Sequence, residues 1–259
     1  MASDLIFQDE VDLVLGGSTP ATTNPVADLC EWNGVPCISA AAPWQPWYFG
    51  RGGITGETSF TFTNHFFWGA EDLMAMYIGL WNGLETNRVG GALWPNDPDG
   101  IAFSDGSLGF PPAQQAAGFI VVDPGRYINL KDAFSIEINA FMAAGVEIVT
   151  GVMLPPDLAT FMAQAKQMGF APTFVTVAKA ALTPKGIASF PDALGENLSG
   201  EVYWEPQYPF RSSLTGETTT ALAGAQWRAD GAGGFRLVYT FNATAPEIAT
   251  DGTLRPEVW

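Results

Sequence analysis

The sequence predicts an α/β fold in which short parallel strands are covered by helices on both faces. Three observations predict it: brief apolar runs of strand length, amphipathic helical stretches between them, and loops of Gly, Pro, Asp and Asn separating the two. Strands buried on both faces read as continuous apolar runs, and parallel neighbours need a crossover, which the intervening helices supply.

Along the chain, residues 11–15 (VDLVL) read as a strand, 24–32 as a helix and 35–39 as the next strand. Residues 60–65 (FTFTNH) alternate like an extended crossing strand and are read as an interdomain hinge. The stretch 67–84 carries Leu73, Met76, Tyr77, Leu80, Trp81 and Leu84 at helical spacing. Residues 89–94, 119–122, 146–149 and 173–177 complete the set of apolar strands, with helices near 132–144 and 157–168. Residues 201–204 (EVYW) form a second candidate crossing. In such sheets ligands sit beyond the carboxyl ends of the strands. The loops to inspect are therefore 16–20, 40–47, 95–100, 153–156 and 178–180, all polar, small or aromatic as a small-molecule cleft requires.

Composition narrows the function. The 259 residues allow one large α/β domain or two smaller ones sharing a cleft, and a hydrophobic content of 47% can build their cores. A formal net charge of −16, from 27 acidic against 11 basic residues, repels phosphate backbones, so no nucleic-acid partner is expected. No apolar run approaches the roughly 18 residues that span a bilayer. The opening MASDLIFQDEVDL has acids where a secretory signal has Lys or Arg and then an apolar stretch, so the chain as given carries no export address.

Reactive motifs fail on inspection, and an enzyme is the least favoured class. Gly16-Gly17-Ser18-Thr19-Pro20 lacks the final Gly of a nucleophile elbow, and the single His65 leaves little scope for a Ser–His system. There is no phosphate loop ending in Lys-Ser/Thr, and Gly50-Arg51-Gly52-Gly53 does not follow a strand in dinucleotide-binding spacing, so no cofactor is expected. The run 95–100 echoes a calcium loop, but Pro95 and Gly106 occupy its first and last ligand positions. Cys30, Cys37 and His65 are too few for a zinc site. Cys30 and Cys37 are either a candidate disulfide across a short loop or two buried thiols. The sequons at Asn197 and Asn242 matter only in a eukaryotic secretory setting.

The stretch VDLVLGGSTPATTNPVADLCEWNGVPCISAAAPWQPWYFGRGG resembles the first lobe of type I periplasmic binding proteins of the branched-chain amino acid class. HFFWGAEDL, VGGALWPNDPDG, GFIVVDPGRY, INAFMAAGVEIVTGVMLPPDLATFMAQAKQMGF and WEPQYPFRSSLTGET continue the resemblance in order, and NATAPEIATDGTLRPEVW is similar to the family's C-terminal strand and tail. The resemblance implies two α/β/α lobes with mainly parallel sheets joined by a hinge. Residues 1–62 plus 205–259 would form the first lobe and 63–204 the second. Family members begin with a strand, a ligand-contacting loop and a helix before the point where this chain starts. They also carry further helices and a strand after the SSLTG motif. The first lobe is therefore expected to be incomplete and the second complete.

The family works by closing its lobes on a ligand, and the closed form is recognised by an ABC permease in the membrane. The resemblance thus implies a periplasmic or extracytoplasmic receptor for an amino-acid-like or small organic ligand. It also carries the binding site over to Ser18, Thr19, Ala41, Ala42 and Trp44 in the first lobe and to Asp97, Asp99, Leu154, Pro155 and Lys179 in the second. Ser and Thr hydroxyls suit a carboxylate, or they serve as an ordinary helix cap. Trp44 and Trp47 stack on a ligand or pack the lobe. Asp99 pairs with an ammonium group, or Asp97-Pro98-Asp99-Gly100 is a turn. Lys179 stands where an amino acid receptor is expected to carry an acid. It implies a ligand with an extra anionic or carbonyl group, or a side chain in solvent. Two other readings share the fold: a ligand-sensing regulatory domain, and a fragment with no transport role.

Overall fold

Residue-level placement in the computed structural model covers 1–182, 198–202, 211–212, 218–219, 222–246 and 248–259. The chain divides into two units, residues 1–70 with 209–220 and residues 71–208 with 221–259.

The first unit begins with α1 (Ala2–Phe7), β1 (Val14–Leu15), α2 (Pro20–Asn33), β2 (Cys37–Ser39), α3 (Trp44–Gly50) and β3 (Thr63–His65). Its three strands lie in the order β1-β2-β3, all parallel, with Val14 opposite Cys37 and Cys37 opposite Thr63. α2 starts at Pro20, whose missing N–H costs nothing in a first turn, and ends at Gly34, whose left-handed φ of 70° lets its N–H reach the carbonyls of Cys30 and Glu31. Val14, Cys30, Cys37 and Ile6 form a small core between α2 and the sheet.

One feature differs from expectation here, and one open alternative is decided. Thr63–His65 is the third parallel strand and no hinge: Glu31 on α2 accepts from the amides of Thr61, Phe62 and Thr63 and fixes the segment to the first unit. The two cysteines are free thiols, not a disulfide. Cys30 projects from the helix into the core and Cys37 from the strand beneath it, so they meet side chain to side chain as small apolar groups.

The second unit contains α4 (Ala70–Trp81), β4 (Val89–Leu93), α5 (Pro98–Phe103), α6 (Phe110–Ala116), β5 (Ile120–Val122), α7 (Ser135–Ala144), β6 (Ile148–Val152), α8 (Pro155–Met168), β7 (Phe174–Ala178) and β8 (Ser199–Val202). Next come β9 (Arg211–Ser212) and β10 (Thr218–Thr219), an antiparallel pair within the first unit. β11 (Ala223–Ala229) and β12 (Phe235–Phe241) return to the second. Its seven-stranded sheet has the order β12-β11-β8-β7-β6-β4-β5. β5, β4, β6, β7 and β8 are parallel, while β8, β11 and β12 are antiparallel.

Both faces of this sheet are covered. On one, Phe134, Ile138 and Phe141 around α7 and Leu158, Phe161 and Met162 of α8 pack with Val149, Val175 and Val177 from the strands. On the other, α4 buries Leu73, Met74, Met76, Tyr77, Leu80 and Trp81. Its Trp81 indole donates to Thr176 Oγ1 on β7 at 3.0 Å, and Leu80 sits against Gly224 on β11. Burying this much apolar surface on both faces is what demands the continuous apolar strands seen in the sequence.

The C-terminal segment was expected in the first lobe, but β11 and β12 extend the second sheet. Ala223 to Arg228 are buried, and the Trp227 indole donates to the Ala181 carbonyl at 2.8 Å within the α8-side core. Glu201 and Val202, read as a crossing, are strand residues paired with Gly224 and Ala223; Tyr203 and Trp204 lie outside the described residues. Among the described residues no helix is long and apolar enough to cross a membrane.

Candidate functional site

The loops that the sequence marks follow the parallel strands β1 and β2 in the first unit and β4, β6 and β7 in the second.

In the first unit, β1 leads through residues 16–19 into α2, and β2 leads through 40–43 into α3. The Thr19 amide donates to the Ala41 carbonyl at 3.3 Å, which ties the two loops together. Thr19 (φ 68°) and Ala41 (φ 57°) both adopt left-handed backbone, a conformation that costs non-glycine residues free energy and concentrates at functional sites. Ser18 is exposed and Thr19 half-buried, while the Thr22 and Thr23 hydroxyls donate to the Thr19 carbonyl and hold the turn. Ala42 is buried and Trp44 is half-buried, its ring against Tyr48 and Phe49.

His65, at the end of β3, secures this arrangement. Its Nε2 donates to the Ala42 carbonyl at 2.7 Å, which leaves Nδ1 to accept from the Ser39 hydroxyl at 2.8 Å. The ring stacks on Trp47 at 4.8 Å. Burial pushes the imidazole down to about 4, so it is neutral at physiological pH. Trp47 is thereby a packing residue, flanked on its other contacts by the Arg51 guanidinium at 4.5 Å and Phe60 at 5.3 Å. Arg51 has a fully buried side chain, bound to Asp28 at 2.7 Å and to Thr63 Oγ1 at 3.0 Å.

In the second unit, Asp97 caps α5: its Oδ1 accepts from the Gly100 amide at 2.9 Å, and its Oδ2 accepts from Asn129 Nδ2 at 2.8 Å. Asp99 is buried, and its Oδ2 is 2.7 Å from Lys179 Nζ on the loop after β7. Burial pushes the Asp99 carboxyl up; Lys179 draws it back part of the way, and Asp97 adds to the rise. Lys179 has a left-handed φ of 74° and a side chain 21% exposed, so it neither lies free in solvent nor stands alone. Leu154 and Pro155 are half-buried at the start of α8.

The segment after β5 completes this set. Tyr127 runs alongside the β4 loop, its amide donating to the Trp94 carbonyl at 3.0 Å and its carbonyl accepting from the Asn96 amide at 2.7 Å. Asp157 of α8 accepts from the amides of Leu130 and Lys131, and Lys131 pairs with Glu137 at 2.5 Å. Among the described residues the Trp94 indole nitrogen, the Tyr127 hydroxyl and Asp99 Oδ1 are buried without a hydrogen-bond partner.

The structure thus joins Thr19 to Ala41 and Asp99 to Lys179. Sequence reasoning missed His65, Asn129, Tyr127 and Asp157. Only His65 carried a signal, as the sole histidine of the sequence. No group of three or more His, Cys, Asp or Glu among the described residues is placed to hold a metal ion.

The sequence profile described as periplasmic binding protein matches residues 1–247. No curated protein matches the chain. Among solved structures, the leucine binding protein LivK from Thermotoga maritima superposes with a TM-score of 0.73 at 14% identity, over 91% of this chain and 81% of its own. A solute binding protein from R. palustris in complex with 4-hydroxybenzoate superposes at 0.68 with 11% identity, over 90% of this chain and 78% of that one. LivJ from Streptococcus pneumoniae in complex with isoleucine gives 0.60 at 13% identity, over 82% of this chain and 56% of that one. These likenesses show the type I fold. By its profile the chain belongs to the periplasmic binding protein family, a solute-binding and non-enzymatic class with ABC transporter components among its members.

Proposed function

We propose that this chain is an extracytoplasmic receptor that binds a small amino-acid-like or organic ligand and delivers it to an ABC importer by lobe closure. The observation that carries the reading is the construction of the strand-end loops. In both units they hold non-glycine residues in left-handed backbone, Thr19 and Ala41 in one and Lys179 in the other. Each is fixed by specific bonds, through Thr19, Ala41 and His65 or through Asp97, Asn129 and the Asp99–Lys179 pair. Strain maintained this way is stable only when the surroundings over-determine it, and it serves to present polar groups in a preorganised geometry.

Ser18, Thr19, Ala41 and Trp44 are the proposed contacts from the first unit, with Ala42 as backbone support. Lys179 is the proposed polar contact from the second, with Leu154 and Pro155 beside it. Asp97 and Asp99 position the loop. The relatives' ligands, isoleucine and 4-hydroxybenzoate, both carry a carboxylate, which suits hydroxyl and amide donors at the N-terminus of α2.

A thermal-shift screen against amino acids, aromatic acids, short organic acids and amides tests the reading. A ligand at 100 times its Kd stabilises by about 2.7 kcal/mol, a shift of a few degrees. At least one such shift is expected; a cooperative melt that none of the compounds moves would remove the receptor role.

A further inference from the structure

The second unit holds a cavity away from its strand-end loops. Its volume is about 160 Å3. That is room for about five water molecules, at the roughly 30 Å3 each takes up in the liquid. Arg88 and Phe119 are on its wall; Arg88 immediately precedes β4 and Phe119 immediately precedes β5. The cavity thus lies at the amino ends of these strands, whereas the loop 95–100 follows the carboxyl end of β4.

Arg88 is held there as a fixed donor. Its Nη1 donates to the Ala117 carbonyl at 2.9 Å and its Nη2 to Asn82 Oδ1 at 3.0 Å, and the guanidinium lies over the Phe119 ring at 4.8 Å. Its backbone is left-handed, with φ 62°, a conformation that a non-glycine residue keeps only where its surroundings fix it. Both acceptors are neutral. Among the described residues no carboxylate lies within ion-pair distance of Arg88, although the chain carries a net charge of −16. A guanidinium has five N–H donors, so three stay available, and a fork already oriented loses little freedom when it takes a carboxylate.

Glu85 lines the same cavity, is exposed, and pairs with neither Arg88 nor any other cation among the described residues. Either charge by itself would be an ordinary solvated surface group. Here both line one small recess whose apolar wall includes Trp81 and Phe119, buried and in edge contact at 5.1 Å. A plain anion would meet Glu85 and a plain cation would meet Arg88, whereas a molecule with both charges satisfies both groups.

We propose that this cavity is a second ligand site, which takes a small zwitterion. The ligand's carboxylate accepts from the available donors of Arg88, its ammonium donates to Glu85, and its carbon chain lies against Trp81, Leu84 and Phe119. The site is independent of the strand-end loops and of the receptor reading.

NMR titration of the full chain tests this, with the indole N–H signal of Trp81 assigned and followed. The compounds are glycine and β-alanine, with propanoate and ethylamine as the β-alanine analogues lacking one charge. Glycine or β-alanine is expected to shift the Trp81 signal saturably, with a Kd lower than that of propanoate or ethylamine by about fivefold. Arg88→Gln and Glu85→Gln, which change exposed side chains, are each expected to raise that Kd by about fivefold while the melting temperature stays near that of the native chain. No saturable shift at Trp81 from either zwitterion overturns the proposal. So does propanoate or ethylamine binding as tightly, or a Kd that either variant leaves unchanged. Each of these results leaves the receptor reading standing, since the thermal-shift screen tests that separately.

Discussion

His65 shows how a single side chain sets the pH response of a loop. Its ordinary value of 6.5 falls to about 4 in the folded chain, so between those values the unfolded state binds more protons than the folded one. Stability is therefore fully present above pH 6.5 and is lost as pH falls toward 4. The loss at the bottom of that window is about 3 kcal/mol. Urea denaturation across the window should show it, and His65→Gln, which cannot titrate, should flatten the slope; an equal slope in both proteins would contradict the assignment. The cysteines make a second residue-scale case. Burial pushes both thiols up, Cys37 to about 11, so neither forms a thiolate at neutral pH. A thiol-reactive disulfide reagent should label neither in the native chain and both after unfolding in guanidinium. No labelling even after unfolding would show a disulfide instead. Residue types told much less than positions did here: Cys30 and Cys37 could be read either way, because spacing along a chain does not reveal that one projects from a helix and the other from the strand below it. Lys179 was legible as an oddity, but its partner Asp99 is 80 residues away in sequence, and no periodic pattern links them.

At the scale of elements, the parallel strands were readable because burial on both faces leaves no alternation to misread. The runs at 89–94 and 173–177 became Val89–Leu93 and Phe174–Ala178 with little change. α3 was hidden in a loop because WQPWYFG makes a short helix held by aromatic packing and not by a repeating apolar face. α5 was hidden too, since Asp97-Pro98-Asp99-Gly100 has turn composition; the same residues that make a good turn make a capped first helical turn. β3 was misread as a hinge because alternation in a half-buried edge strand looks like any extended crossing. The tight path of α5 gives a test. A Cβ on Gly100 would lie 1.9 Å from the Pro95 carbonyl oxygen. Gly100→Ala should therefore destabilise the chain by about 1–3 kcal/mol. It should also weaken ligand binding, because the Asp97 and Asp99 carboxylates are carried on that turn. Chemical denaturation measures the first effect and calorimetry the second, and an unchanged midpoint would contradict the close approach.

At the scale of the whole molecule, the α/β class and the family were legible across nearly the full chain, and the profile match over residues 1–247 agrees with the order of the quoted motifs. The assignment of the C-terminal segment was not legible. β11 sets Ala223, Ala225 and Trp227 on one face against Gly224, Gln226 and Arg228 on the other, a pattern that specifies neither sheet, and the choice is made by long-range partners: Gly224 against Leu80, and Trp227 against Ala181. The proposed receptor role makes a specific claim about binding, that the preorganised strand-end loops contact the ligand. The measurement that tests it most directly is calorimetric titration of a ligand found by the thermal-shift screen into the native chain, Ser18→Ala from the first unit and Lys179→Arg from the second. The account predicts that each substitution raises Kd by about three- to tenfold for the same compound while the melting temperature of the free protein stays near that of the native chain. An unchanged Kd in both variants would contradict the claim that these loops hold the ligand.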